Sequence, residues 1–262
     1  MTANSREPLR SVSIALDLLE AFRGDSELTV TQLAERVGVA KSTASRTCAL
    51  LHDRGMLERT VGGRYRLGPK LMEYGHLAKL RHGLSTKVRI LLTEVRDAVG
   101  ETVQLGVAAG VDVLYVERVE AVRSLRHSSE SYRYTAVHRS SNGKVLAAWN
   151  PDLAAARIRA GLPASTGYTI VTPALFLEEL ERVRNRGYAR SVEESELGGA
   201  SLAVPIHRGA DGPVVASLGI AGPTRRITNS EARHVQILQI AANQLGKAIE
   251  TGEVTLPVWP GP

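Results

Sequence analysis

The sequence predicts an α+β fold in two parts, and three observations carry that prediction. Residues 12–67 contain three helical periodicities followed by a glycine-tipped pair of short alternating segments. Residues 87–262 place alternating segments near both ends and helical patterns elsewhere. A chain of 262 residues is also longer than one minimal domain. Apolar content of 43% is ordinary for a packed core. There is no run of about 18 apolar residues, and the polar start MTANSREPLR lacks the pattern of an export leader, so a soluble, cytoplasmic protein without a membrane partner is expected. The single cysteine, Cys48, excludes a disulfide framework or a multi-cysteine zinc site and reads as a small core residue.

In residues 12–22 (VSIALDLLEAF), Ile14, Ala15, Leu18, Leu19 and Phe22 share one face, the period of an amphipathic helix that Gly24 ends. Thr29-Val30-Thr31-Gln32 matches a capping box and opens a second helix, with Leu33, Ala34 and Val37 on one side and Gly38 closing it. A third helix runs from about 41 to 54 with Ala44, Thr47, Cys48 and Leu51 inward. Two short helices joined by a Gly-containing turn form a helix-turn-helix. The outward face of its second member gathers Lys41, Ser42, Thr43, Ser45 and Arg46 at the N-terminal end, the end that meets base edges and phosphates in a major groove. Residues 56–59, a Gly62-Gly63 turn and residues 64–67 then read as a hairpin, which makes the unit a winged helix-turn-helix. Alternation puts Arg64 and Arg66 on one face of that wing and Tyr65 and Leu67 on the other, with Arg64 suited to a phosphate or the minor groove.

Charge points the same way. Between residues 35 and 70 eight basic residues face only Glu35, Asp53 and Glu58, an excess of five within a chain whose net charge is +6. Such concentration is the footprint of a polyanion partner, because phosphate contacts dominate nucleic-acid affinity. The candidate DNA-binding residues are Thr29, Lys41, Ser42, Thr43, Ser45, Arg46, Arg64 and Arg66.

From about 69 to 87, Leu71, Met72, Tyr74, Leu77, Ala78 and Leu80 suggest a connecting helix rather than a flexible tether. The predicted boundaries are 1–69 for the DNA-binding domain, 70–86 for the linker helix and 87–262 for the remainder. In that remainder, 88–99 is an amphipathic helix, and 102–108 with 111–119 form a hairpin around Ala109-Gly110. A further strand is read at 125–128. Residues 200–206 and 214–220 flank a turn at 209–212, and a long helix over 229–250 places Val235, Leu238, Ala242, Leu245 and Ile249 inside.

The segments ALDLLEAF, TQLAERVGVAKSTASR, LLHDRGMLER and GRYRLG closely resemble the DNA-binding half of the IclR family of bacterial regulators. VGETVQLGV, HRSSNGKVLAAW, TIVTPALFLEELERVRNRGYA, EESELGGASLAVPI and VVASLGIAGP resemble its effector half, so the likeness covers most of the chain. The resemblance implies a GAF-like antiparallel-sheet domain that binds a small organic acid. Carried over position by position, it implies effector-facing residues at Leu125, His127, Ser141, Asn142, Ser191, Ser201, Gly219 and Ala221. Two departures stand out. Members that bind small keto acids have serine at the last two positions; Gly219 and Ala221 imply a larger, more apolar pocket and an acid with an aromatic or bulkier body. Ala136-Val137-His138 stands where the family usually begins with proline.

Other motifs carry less. Asn142-Gly143-Lys144 is no P-loop, because His138 and Val145 occupy the places that need Gly and Ser or Thr. Gly199-Ala200-Ser201-Leu202-Ala203 lacks the last glycine of a hydrolase elbow and lies in a strand pattern. His127, His138, His207 and His234 lack metal-ligand spacing and read as structural, except His127, whose implied strand position faces an anionic ligand. Glu193-Glu194 reads as a solvated acidic turn. The expected function is therefore a transcriptional regulator, repressor or activator, binding a pseudo-palindromic operator as a homodimer or dimer of dimers. It needs no cofactor, metal or catalytic residue. The alternative is a metabolite-processing enzyme with a nucleic-acid-binding appendage.

Overall fold

Caps and apolar faces set the N-terminal helices of the computed structural model, which describes residues 9–22, 24–81, 86–122, 134–210 and 212–257. Contacts divide the chain between Ala78 and Lys79. In the first unit α1 (Arg10–Glu20) and α2 (Val30–Val37) precede α3 (Lys41–Asp53). The capping box of α2 forms: Thr29 Oγ1 accepts from the Gln32 amide at 3.2 Å, and Gln32 Oε1 accepts from the Thr29 amide at 2.9 Å. Gly38 ends the helix at φ 71°, the left-handed region that glycine enters without steric cost. Leu18, Phe22, Leu28, Leu33, Ala44, Cys48, Leu57 and Tyr65 close a small core between the helices and the hairpin.

That hairpin pairs β1 (Leu57–Arg59) with β2 (Tyr65–Leu67), Glu58 opposite Arg66. One element escaped the sequence patterns. Leu28 exchanges two backbone hydrogen bonds with Tyr65, at 2.9 and 2.8 Å, so the segment before α2 fastens the wing to the helices. A single bridging residue has no alternation to detect. After the wing, α4 spans Pro69–Arg81.

The second unit starts with α5 (Lys87–Val99), then β3 (Thr102–Ala109), β4 (Asp112–Val119) and β5 (Tyr134–Ala136). A turn of 3-10 helix at Val137–Arg139 leads into α6 (Ser141–Ala148), α7 (Pro151–Arg159) and α8 (Pro173–Arg186). The chain continues through β6 (Ala189–Val192), β7 (Gly199–His207), β8 (Val214–Pro223), α9 (Thr224–Asn229) and α10 (Glu231–Glu250). The six strands form one antiparallel sheet in the order β5-β4-β3-β8-β7-β6.

Alternation along the strands supplies two cores. Leu105, Leu202, Val204, Leu218 and Ile220 pack with residues of α5 and α10 on one face. Val113, Ala189 and Ala203 pack with Val145, Leu153 and Phe176 on the other. All eight residues of α6 are buried, polar ones included. A helix buried all round has no apolar stripe, which is why periodicity did not announce it. Gly143 permits its depth: a Cβ there would stand 2.7 Å from the carbonyl carbon of Val137. Among the described residues no helix is long and apolar enough to cross a membrane.

Candidate functional site

Helix α3 sorts its residues by face. Ala44 and Cys48 are fully buried, while Lys41, Ser42, Ser45 and Arg46 are exposed and Thr43 is half-buried. Burial pushes the Cys48 thiol up to about 11, so it stays protonated at neutral pH. Ala40 offers no side-chain cap, which leaves the positive end of the α3 dipole facing out beside these hydroxyls and cations.

The structure also sorts the cations into held and unheld ones. Arg66 donates from Nε to Glu58 at 2.9 Å, and this pair lowers the glutamate's pKa and raises the arginine's. Arg36 pairs with Asp25 at 2.6 Å, and Lys70 with Glu73 at 2.8 Å. Lys41, Arg46, Arg54, Arg59 and Arg64 have no ion pair among the described residues. Arg64 and Arg66, grouped together by alternation, therefore differ: one is unpaired and the other is bonded across the hairpin. Thr29 differs too, since its hydroxyl is engaged in the α2 cap.

In the C-terminal unit, strand register brings four of the implied effector residues onto one face. Ser191 on β6 lies opposite Ser201 on β7, and Ser201 lies opposite Ala221 on β8, forming one rung across three strands. The next rung on that face holds Ala203, Gly219 and Gln104. Above them sits α6. Asn142 Nδ2 donates to Ser217 Oγ at 3.0 Å and to the Ser217 carbonyl at 3.2 Å. Ser191 Oγ donates to the Arg139 carbonyl at 2.9 Å. Ser141 is fully buried, and its Oγ has no hydrogen-bond partner among the described residues. Leu125 and His127 lie outside the described residues.

Gly219 does not do what the resemblance implied. A Cβ there would meet Asn142 Oδ1 and stand 2.8 Å from the Leu202 carbonyl oxygen, so the room the absent side chain leaves is filled by Asn142. The glycine admits a neighbour instead of enlarging a pocket. The acidic turn is corrected as well. Glu194 is buried, and its Oε1 accepts from Lys144 Nζ at 2.5 Å. Lys144, itself only 1% exposed, donates also to the Arg190 carbonyl at 3.1 Å and lies 3.8 Å from Glu179. Glu179 is held in turn by Arg186 at 2.8 Å. Burial raises the Glu194 pKa against the opposing pull of Lys144. Glu193 carries the backbone at φ 58°, and the Thr166 and Thr169 hydroxyls clamp the carbonyls of Glu193 and Glu194 at 2.6 and 2.7 Å. Lys144, Glu179, Arg190 and Glu194 line a cleft of about 190 Å³ with Ile170 and Val192.

Ser201 sits within β7, paired on both sides, and not at a strand-to-helix elbow. His138 is fully buried with Nε2 at 3.1 Å from the Pro163 carbonyl, and burial lowers its pKa, which keeps the ring neutral.

These two units match known proteins along nearly the whole chain. The IclR helix-turn-helix domain matches residues 11–60, and the C-terminal domain of the bacterial transcriptional regulator IclR matches residues 77–247. The HTH-type transcriptional regulator XynR of Escherichia coli strain K12 is 32% identical over 250 residues, which is 92% of this chain and 97% of that protein. BhcR of Paracoccus denitrificans is 32% identical over 225 residues, 85% of this chain and 80% of its own length. The crystal structure of an ICLR transcriptional regulator from Silicibacter sp. TM1040 superposes with a TM-score of 0.81 at 29% identity, covering 95% of this chain and 99% of that one. An IclR homologue from Microbacterium hydrocarbonoxydans, solved in complex with 4-hydroxybenzoate, has a TM-score of 0.71 at 27% identity over 92% of this chain and 98% of its own. The curated relatives are transcriptional regulators and not enzymes, which removes the alternative of a metabolite-processing enzyme. With a helix-turn-helix that presents unpaired cations and an antiparallel sheet that carries a rung of hydroxyls, the chain belongs to the IclR family of bacterial transcriptional regulators, DNA-binding proteins of the helix-turn-helix class.

Proposed function

We propose that this regulator works in the cytoplasm as a homodimer or dimer of dimers on a pseudo-palindromic operator, acting as repressor or activator. The N-terminal turn of α3 enters the major groove with Lys41, Ser42, Thr43, Ser45 and Arg46, and Arg64 of the wing takes a phosphate. The observation that carries this reading is the separation on α3 of buried Ala44 and Cys48 from exposed Lys41 and Arg46, which have no ion pair among the described residues. Arg66 and Thr29 act within the protein, through Glu58 and the α2 cap. Exposed Leu9, Val12 and Leu16 along α1 support association of copies, since two-fold half-sites need paired readers.

We infer further that a small organic acid, aromatic in class, binds in the C-terminal unit on the face bearing Ser191, Ser201 and Ala221, beneath Ser141 and Asn142. Support comes from the shared rung of hydroxyls, the unpartnered Ser141 Oγ and the 4-hydroxybenzoate bound by a relative. Ligand binding shifts the population between two states of unequal operator affinity.

Gel-shift titration of a fragment carrying the operator tests the first part, with Arg46→Ala expected to lose binding; unchanged affinity removes α3 from the interface. Thermal shift with aromatic and keto acids, 4-hydroxybenzoate among them, tests the second, since a ligand of the native state stabilises by mass action. Stabilisation by keto acids alone would reverse the assigned class.

A further inference from the structure

Strand β4 carries an extra residue. Leu105 of β3 lies opposite Glu117 and Gly106 opposite Tyr115, so Val116 falls between two rungs of the ladder. Uninterrupted alternation would put Tyr115, Glu117 and Val119 on one face of the sheet. The bulge reverses the order beyond Val116. Glu117 and Val119 turn to the face packed by α5, where Glu117 accepts from Arg89 at 2.9 Å and Val119 joins the core. Tyr115 stays on the opposite face with Val113, and Arg118 comes round to join it.

Register carries the consequence across four strands. Arg118 lies opposite Gln104, Gln104 opposite Gly219, and Gly219 opposite Ala203. Arg118 therefore belongs to the face that bears Ser191, Ser201 and Ala221, and among the described strand residues of that face it is the one arginine or lysine. Its side chain is 27% exposed, with Nε 3.8 Å from Glu120, an ion-pair distance longer than a hydrogen bond. Glu120 follows Val119, the partner of Val103, so the guanidinium leans toward the rung that holds Thr102, Ala221, Ser201 and Ser191. Its charge also reaches Tyr115, where it opposes the rise in pKa that burial imposes.

This face thus has a cationic end at β4 and a hydroxyl end at β7 and β6. Strands about 4.8 Å apart place β4 and β7 about 14 Å from each other, with the short side chains of Thr102 and Ala221 between. Asn142 stands over Gly219, which puts a ligand on the neighbouring rung. A guanidinium presents a planar fork of donors that matches a carboxylate, and such charge-assisted bonds are about twice as strong as neutral ones. Serine hydroxyls at the far end suit a hydroxyl group.

We propose that Arg118 binds the carboxylate of the effector, and that an aromatic hydroxy acid lies along this rung with its carboxylate toward β4 and its hydroxyl toward Ser201. This rests on the effector reading of the C-terminal unit and adds to it the anchoring residue and the orientation of the ligand.

The test is calorimetric titration of the full chain with 4-hydroxybenzoate, with 4-hydroxybenzamide, which keeps the shape and hydroxyl without the charge, and with benzoate, which lacks the hydroxyl. The native chain is expected to bind 4-hydroxybenzoate at least about tenfold more tightly than the amide. Arg118→Gln should weaken the acid about tenfold and hold the amide within about twofold, which also reports a folded site. Arg118→Lys, with the charge but not the fork, should fall between, and it decides the matter if the glutamine variant does not fold: undiminished affinity there overturns the anchor. Ser201→Ala should weaken 4-hydroxybenzoate and spare benzoate; equal loss of both overturns the orientation. An Arg118→Gln chain that binds the acid as the native chain does, or loses acid and amide alike, overturns the anchor. If that happens while Ser201→Ala weakens 4-hydroxybenzoate, the effector site stands and Arg118 alone falls. If the native chain binds none of the three compounds, the aromatic-acid reading falls and takes this proposal with it.

Discussion

In the N-terminal unit Lys41, Arg46 and Arg64 are exposed and have no ion-pair partner among the described residues, whereas in the C-terminal unit Lys144 is 1% exposed and clasped by Glu194. The contrast separates two uses of charge. An exposed cation adds little to the fold and keeps its full field for a polyanion outside. A buried cation is bound into the interior, and its energy depends on whether its partner stays in place. The first unit is therefore tolerant of substitution at its working surface, and the second is intolerant at its polar centre.

The largest effect should come from breaking the buried pair. Lys144→Met leaves Glu194 in the interior without its cation and is expected to cost about 3–5 kcal/mol in urea unfolding of the full chain. Lys144→Met with Glu194→Leu should recover about half of that or more, because Glu179 retains Arg186. A single variant as stable as the native chain would show that the pair carries no such weight.

Next in size is Gly219→Ser, where the new side chain collides with Asn142 and the Leu202 carbonyl. A loss of about 1–3 kcal/mol is expected, partly relieved by adding Asn142→Ala. A stable Gly219→Ser protein would restore the family-derived pocket at this position.

Thr29→Ala should cost about 1 kcal/mol through loss of the α2 cap, with DNA affinity unchanged at temperatures well below unfolding. Weakened duplex binding without weakened stability would instead place the Thr29 hydroxyl on DNA.

The finest distinction lies between the two wing arginines. Arg64→Ala should lower the salt slope of log affinity by about 1, while Arg66→Ala, already neutralised by Glu58, should leave it nearly unaltered. Equal slopes for both variants would return Arg66 to the interface.

How far such features could be read from sequence followed the range of the interaction. The Thr29–Gln32 cap and the inward Ala44 and Cys48 are local patterns, and the structure has them at those residues; the hairpin read at 102–108 and 111–119 forms one residue along, at Thr102–Ala109 and Asp112–Val119, so its turn is Gly110-Val111. The Glu58–Arg66 bond was one residue out of reach: a two-residue turn at Gly62-Gly63 would set Glu58 opposite Leu67, whereas the observed tip spans Val61-Gly62-Gly63 and sets it opposite Arg66. Glu194 was farther off, since its partner lies 50 residues earlier and two adjacent glutamates look solvated by composition alone. The occupation of the Gly219 site by Asn142 is likewise a meeting of distant segments, and family comparison misled there by treating one position in isolation.

Helix α6 also bears on how the proposed effector site changes over descent. With all eight residues enclosed, it has no outward side on which neutral substitutions can accumulate. Asn142 can be exchanged for a larger or smaller group only if Gly219 or Ser217 changes with it. Descendants of this chain should therefore alter ligand preference by paired steps through a less stable intermediate, and a stabilising change elsewhere would open the route.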